Sequence, residues 1–394
     1  SCEAMIHFQY HAPTQVIFGQ DSYLQAPRLI QEAGASRILV HYGRRSVIRS
    51  GLLSRMLSAL QDAGIPYETL GGVRPNPRLS LVHEGISLVK EKQIDFILAI
   101  GGGSVIDSAK AIAYGACNEG EIWDYYMKRK QVKGALPVGC IATAAAAGSE
   151  MSNSSVITNE EGWLKRGLSS SYGYCRFALL DPALTLSMPM EQTMSGCTDI
   201  LMHALERFFT REAQGELIDE MTYALMRTVI RHTRRLHHDL SDLDSRAQIM
   251  WASEAAHNGM CGDRTLGDWA SHQLEHELSG MFDVAHGAGL AALWPSWARY
   301  VCSSGTARFA ALARNLFDIR MPDDEACAYA GIDAMEALFR EIGMPVRIHE
   351  LGITLSDEQI DLLARKCSYD HSRTIGKIKA LDEEDMKNIY RQAR

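Results

Sequence analysis

Through the first half of the chain, short and nearly unbroken apolar runs alternate with amphipathic stretches. "RILVHYG" (37–43) reads as a buried strand that ends in glycine. "SVIRSGLLSRMLSALQDAG" (46–64) reads as one amphipathic helix closed by Gly64, and "RLSLVHEGISLVKEKQ" (78–93) as another, after the Pro75-Asn76-Pro77 break. "DFILAIGGGS" (95–104) is a strand running into glycines, and "VIDSAKAIAYGAC" (105–117) is the helix that follows. "LPVGCIAT" and "FALLDP" supply two more strands. Strands alternating with helices predict a parallel sheet covered by helices. Apolar runs this continuous belong to strands buried on both faces.

After "DPALTLSMP" (181–189) the pattern changes. Little strand periodicity is left, and long helical segments take over, such as 215–240 and 245–260. The fold predicted is an α/β domain with a Rossmann-like parallel sheet over residues 1–188, followed by an all-helical domain over 189–394. No internal repeat or low-complexity tract is visible.

Composition narrows the function classes. The 394 residues carry a net charge of −8 and no Lys/Arg block, which argues against a nucleic-acid partner. The longest apolar run, "LPVGCIATAAAAG" (136–148), is too short to span a bilayer. No charged-then-apolar leader opens the chain, so a cytoplasmic protein is expected. Ser1-Cys2-Glu3-Ala4, ahead of Met5, reads as an appended tail. The nine cysteines are scattered without a CxxC pair, as suits free thiols better than a disulfide framework.

Candidate chemistry lies in two places. Gly101-Gly102-Gly103-Ser104 sits between a strand and a helix. Glycine lets backbone approach a ligand closely, and the helix start offers unpaired N–H groups to an anion such as a diphosphate. The motif is not GxGxxG, so the common dinucleotide fingerprint does not transfer. Asp107 lies one turn into the helix, either pairing with Lys110 on its surface or bonding a cofactor. A second turn of small residues, "TAAAAGSE" (143–150), follows a later strand. In a parallel sheet such turns gather at the carboxyl end, where ligands bind.

The other place is rich in histidine. "DILMH" sets Asp199 and His203 four residues apart, and "HQLEH" does the same for His272 and His276. Residues at that spacing share a helix face. His286 would lie about 15 Å beyond His276 on an unbroken helix, but Gly280 is expected to end the helix and let the chain return. One such pair is more often surface or core than ligand. Two pairs and a third histidine past a break make a credible Zn²⁺ or Fe²⁺ site. His237 and His238 read as a solvated helix face. A rival reading takes His272-Gln273-Leu274-Glu275-His276 as the H-x-x-E-H motif of inverted zinc peptidases, with Glu275 activating water. That reading leaves the glycine turn and the Asp199/His203 pair unused.

Taken jointly, "FQYHAPTQVIFG", "PNPRLSLVHEG", "DFILAIGGGSVIDSAKAIA", "GSEMSNSSVIT", "FALLDPALTLSMP", "GCTDILMHALERFFT", the histidine stretch and "IGKIKALDEEDMKNIY" resemble the iron-containing (group III) alcohol dehydrogenase family. The resemblance is nearest to its butanol-dehydrogenase-like branch and covers almost the whole chain. It implies a dehydroquinate synthase-like architecture and Asp199, His203, His272 and His286 as metal ligands. It makes His276 a non-ligating active-site histidine, a candidate proton carrier, and leaves Glu275 and Glu277 structural. It also implies Gly101, Gly102, Gly103 and Ser104 as the diphosphate loop, Asp107 as its helix acid, and Thr143 and Lys165 near the nicotinamide. Ala147 stands where the family usually has Thr, and Ser152 where this branch often has Asn.

The expected reaction is reversible hydride transfer between a nicotinamide cofactor and a small aldehyde or primary alcohol, in a cleft between the two domains. A homodimer is implied by resemblance only. The stretch after the first strand, Tyr42-Gly43-Arg44-Arg45-Ser46, has no acid to bind a ribose 2′-hydroxyl. Its two arginines could pair with a 2′-phosphate, so NADP(H) is preferred over NAD(H). Competing readings are a metal- and NAD-dependent synthase of the dehydroquinate-synthase type, the zinc peptidase, and a binding protein that kept the fold without activity.

Overall fold

The computed structural model describes residues 5–394. The four residues ahead of Met5, Cys2 among them, lie outside it. The chain divides into two compact units, Ala12–Met188 and Pro189–Arg394, the latter joined by residues up to His11.

In the first unit six strands form one parallel sheet. They are β1 (Gln15–Phe18), β2 (Ile38–Gly43), β3 (Tyr67–Val73), β4 (Phe96–Gly101), β5 (Val138–Ala142) and β8 (Phe177–Leu180), in the order β1-β8-β5-β4-β2-β3. β6 (Ser154–Asn159) and β7 (Leu164–Ser169) make a separate antiparallel hairpin. The helices are α1 (Ala26–Glu32), α2 (Ser46–Arg49), α3 (Leu52–Asp62), α4 (Leu79–Lys92), α5 (Gly103–Cys117) and α6 (Ile122–Tyr126).

Side chains alternate across the sheet, as a period of two requires. Ile38, Val40, Phe96, Leu98, Ile100, Ile141, Phe177 and Leu179 build one buried cluster with Leu29, Ile30, Met56 and Leu60 of the covering helices. Phe96 and Phe177 stack at 5.9 Å although β5 runs between their strands. Gly139 permits this, because a Cβ there would stand 2.2 Å from the Phe177 ring.

The single helix expected over 46–64 is two helices. Gly51 adopts φ +79° between them, a left-handed conformation that stops the first and starts the second. The edge strands β1 and β3 and the hairpin also went unforeseen.

The second unit contains helices α7 (Met190–Phe208), α8 (Glu216–His238), α9 (Leu243–Ala255), α10 (Ala270–Phe282), α11 (His286–Val301), α12 (Thr306–Phe317), α13 (Asp324–Glu341), α14 (Asp357–Cys367) and α15 (Glu383–Ala393). No strand follows β8 among the described residues. From Thr193 to Phe208 nearly every residue of α7 is buried, the polar Asp199, His203, Glu206 and Arg207 among them. Packed aromatic rings, Phe209 with Trp297 and Phe309 and Trp294 with Phe339, fill the core. No described helix is long and apolar enough to cross a membrane.

Gly280 does not end its helix. α10 runs on to Phe282 and closes at Asp283, which takes φ +53°. Asp tolerates that left-handed position better than most residues. The chain therefore turns three residues later than expected, and α11 opens on His286 itself.

Candidate functional site

The helical repeat explains how the second unit gathers its polar groups. On α7, Asp199, His203 and Glu206 recur at i, i+4 and i+7 and fall on one face. On α10, His272, Glu275, His276 and Ser279 recur at i, i+3, i+4 and i+7. His286 joins them from the first turn of α11.

The result is a convergence on one atom. His203 Nδ1, His272 Nε2 and His286 Nε2 lie 3.7, 3.8 and 3.5 Å from Asp199 Oδ1. Ligand atoms of Asp199, His272 and His286 all lie within 4.8 Å of one another. The rings of His203 and His272 stack with centroids 4.8 Å apart, and those of His272 and His286 are 5.1 Å apart. Asp199 Oδ1, His203 Nδ1 and His272 Nε2 are buried and make no hydrogen bond. Buried polar atoms are rarely left so. Three orphans pointing at one place, with carboxylate and imidazole chemistry, fit a divalent cation.

Charge agrees with that arrangement. Burial pushes the Asp199 carboxyl up, but His203, His286 and His272 outweigh it and hold it well below the usual carboxylate range. Burial pushes His203 down to about 3, so its ring is neutral and free to ligate. Burial also opposes charge on His272, yet Asp199 and Glu206 raise it to about 9.

His276 lies one turn along α10, nine-tenths buried. Its ring is 5.8 Å from that of His286 and 6.5 Å from that of His272. It also groups with Glu275 and His286 as a possible ligand set, but Glu275 already accepts from His286 Nδ1 at 2.5 Å and from the Ser279 hydroxyl. Glu275 is fully buried. The peptidase reading asks it to activate water, and here it is committed to its neighbours instead.

Sequence reasoning missed two participants. Glu206 accepts from His272 Nδ1 at 3.0 Å. Its signal was present, as the third member of the Asp199/His203 helical stripe. His257 stacks on His203 at 4.2 Å and lies 3.1 Å from Arg207 Nη2. It stands alone in "EAAHNGM", without spacing to mark it.

In the α/β unit the second constellation is made by strand ends. β4 runs into Gly101, Gly102 caps α5 in an extended conformation, and no side chain caps that helix. Gly101 is required by packing, since a Cβ there would stand 2.5 Å from Val105. A Cβ on Gly102 or Gly103 would meet Ala144 or Ala147 at 3.3 or 3.4 Å. The alanine turn after β5 thus lies directly against the glycine turn, and Thr143 N–H bonds the Gly101 carbonyl at 3.0 Å. Ala147, the departure from the family pattern, sits at this contact.

Asp107 accepts from the Ser149 hydroxyl at 2.5 Å and from Val156 N–H at 3.1 Å, one bond to each oxygen. Burial pushes its carboxyl up to about 6. Lys110 is buried and donates to the carbonyls of Ser149, Ser152 and Ser154, so it does not pair with Asp107 on a surface. Lys165 donates to Asn76 Oδ1 at 2.8 Å. Arg44 and Arg45 are exposed just beyond Gly43, at the end of β2, the strand next to β4.

A parallel-sheet unit with a glycine turn at its carboxyl end, and a helical unit with a carboxylate–trihistidine cluster, together have the dehydroquinate synthase-like architecture. Residues 13–182 match the family model for iron-containing alcohol dehydrogenase, and residues 193–394 match the C-terminal model of the same family. A probable NADH-dependent butanol dehydrogenase of Bacillus subtilis is 40% identical over 98% of this chain and 99% of its own. An NADPH-dependent aldehyde reductase of Escherichia coli is 30% identical over 99% of this chain and 100% of its own. The crystal structure of an NADH-dependent butanol dehydrogenase from Thermotoga maritima superposes with a TM-score of 0.94 at 34% identity, covering 99% of each chain. The chain belongs to the iron-containing alcohol dehydrogenase family, oxidoreductases that act on alcohols with NAD(P)(H) and a divalent metal.

Proposed function

We propose that this chain interconverts a small aldehyde and its primary alcohol by hydride transfer with a nicotinamide cofactor, and that Asp199, His203, His272 and His286 hold one divalent metal, Fe²⁺ or Zn²⁺. The observation that carries the ligand assignment is the set of three buried, unbonded atoms, Asp199 Oδ1, His203 Nδ1 and His272 Nε2, directed at one place. A metal bound there supplies Lewis-acid stabilisation of negative charge on the substrate oxygen. His276 holds the proton exchanged with that oxygen. It neighbours two of the ligands, its ring 5.8 Å from that of His286 and 6.5 Å from that of His272.

Gly101, Gly102, Gly103 and Ser104 offer backbone N–H groups to the cofactor diphosphate, where the uncapped start of α5 favours an anion. Thr143 and Lys165 line the nicotinamide end. Asp107 keeps a free lone pair on each oxygen for a cofactor hydroxyl while holding the 149–156 segment in place. For the cofactor, Gly43, Arg44 and Arg45 favour NADPH: two exposed guanidinium groups stand where an acid would select NADH. The Bacillus and Thermotoga relatives bear NADH in their names and the Escherichia relative NADPH, so the contrast is open to direct measurement.

The test is an aldehyde panel run with NADPH and with NADH on metal-defined protein. One cofactor oxidised per aldehyde reduced is expected, with the larger kcat/KM for NADPH. Absence of net cofactor oxidation, the result a synthase gives, overturns the reaction. A larger kcat/KM for NADH overturns the cofactor choice alone. We also propose a homodimer, supported by the exposed apolar side chains of Met5, Ile6, Phe8 and Tyr10, and checked by sedimentation. The eight cysteines among the described residues form no disulfide, which suits the reducing cytoplasm.

A further inference from the structure

Two fully buried carboxylates stand behind the imidazoles, outside the proposed ligand set. Glu206 Oε2 accepts from His272 Nδ1 at 3.0 Å and from the His272 backbone N–H at 3.3 Å. Glu275 Oε2 accepts from His286 Nδ1 at 2.5 Å, and its other oxygen accepts from Ser279. An ionised carboxylate only accepts, so Nδ1 of each ring carries a proton and Nε2 is the nitrogen left to ligate a cation. In both rings Nε2 is the atom that faces Asp199 Oδ1.

Burying a carboxylate is costly unless it is paired, and here the cost recurs behind two adjacent imidazoles. The backbone is shaped to admit one of them. At Gly289 on α11 a Cβ would stand 2.7 Å from Glu275 Oε1 and 2.8 Å from its Cγ. Any larger residue there would press Glu275 away from His286.

We propose that Glu206 and Glu275 are positioning residues of the metal centre. Each fixes the tautomer and plane of one imidazole, so that His272 and His286 present Nε2 to a single cation, and each adds anionic charge behind its ligand. The inference rests on the ligand assignment above.

The test compares wild type with Glu206→Gln, Glu206→Leu, Glu275→Gln, Gly289→Ala and His272→Ala. Zn²⁺ affinity is measured by competition with a chromophoric chelator, and ligand geometry by the visible bands of Co²⁺-loaded protein. Each change at Glu206, Glu275 or Gly289 is expected to weaken Zn²⁺ binding by about 10–100-fold and to move the Co²⁺ bands. Leu should weaken it more than Gln, which keeps a neutral acceptor. Gly289→Ala and Glu275→Gln disturb the same carboxylate–imidazole bond by different means, so a variant that does not fold leaves another to decide. Wild-type affinity with unchanged Co²⁺ bands in the folded glutamate variants overturns the inference. Wild-type affinity in His272→Ala overturns the ligand assignment instead, so the two failures are distinct.

Discussion

His272 and His276 are the same residue type, one helical turn apart on α10, and both are buried. Their surroundings separate them. His272 aims Nε2 at Asp199 with Glu206 behind it, whereas His276 flanks the cluster, its ring 5.8 Å from that of His286 and 6.5 Å from that of His272. Replacing His272 with Ala should abolish metal content and turnover together. Replacing His276 with Ala should leave metal content near one per chain and lower kcat by about 100-fold or more, the usual size of a lost acid–base group. Metal analysis beside steady-state kinetics checks both, and equal metal loss in the two variants would refute the division. At this scale the sequence was informative where spacing was: Asp199, His203, His272 and His276 stood out by the four-residue interval. Glu206 was passed over although it continues the Asp199/His203 stripe, and Glu275 was read only as a peptidase base or a structural residue, because a glutamate on a helix is ordinarily a surface residue. Only the fold shows that these two are enclosed.

Among the elements, β2 and β3 carry a device that no periodicity displays. β3 has one extra residue between Leu70 and Val73 opposite His41–Gly43, so the ladder is interrupted there. Gly72 takes φ +98°, and Gly71 has no room for a Cβ beside the Tyr42 ring. His41 Nδ1–H then donates to the Leu70 carbonyl at 2.7 Å, and the Ser108 hydroxyl of α5 donates to Nε2 at 2.8 Å. The ring is neutral, and burial pushes it down to about 4 from 6.5. The unfolded chain protonates near 6.5, so between there and 4 it binds more protons than the native state. The stabilisation is therefore present above pH 6.5 and lost as pH falls through 4, worth about 3 kcal/mol for the shift. Urea unfolding of wild type and His41→Gln, at pH 7 and at pH 4.5 in chelator, should show the gap between them narrowing in acid. An equal gap at both values would refute it. Asp107, pushed up to about 6, acts in the opposite sense over an overlapping window, and both proteins share it. The four inner strands, β2, β4, β5 and β8, and the long helices were legible because burial writes apolar runs into the sequence; the edge strands β1 and β3 were not, since "QVIF" and "YETLGGV" are mostly half-buried or exposed. The β6–β7 hairpin was not, since "SSVITN" and "LKRGLS" mix polar residues without clean alternation. The break at Gly51 was hidden inside an amphipathic pattern that continues across it.

For the whole molecule, the clearest consequence of the proposed metal centre is linkage between metal and stability. A cation held by Asp199, His203, His272 and His286 binds the folded chain and not the unfolded one. At a free concentration 100 times its dissociation constant it adds about 2.7 kcal/mol. For a domain of 150–250 residues each kcal/mol moves Tm by about 2–4 °C, so stripping the metal should lower the melting temperature by about 5–10 °C. The stripped protein should nevertheless stay folded. With His272 raised to about 9 by Asp199 and Glu206, a proton on that ring partly replaces the missing positive charge at neutral pH. Rebinding must then expel the proton, because His272 cannot ligate while both its nitrogens are protonated. Calorimetric titration of the stripped protein with Zn²⁺ at pH 7.5, in buffers of different ionisation enthalpy, should report release of about one proton per metal. Glu206→Leu removes one of the two carboxylates that hold the proton, and should reduce that number. An unchanged melting temperature after chelation, or metal uptake with no proton released, would mean that these four side chains are not gathered for a cation.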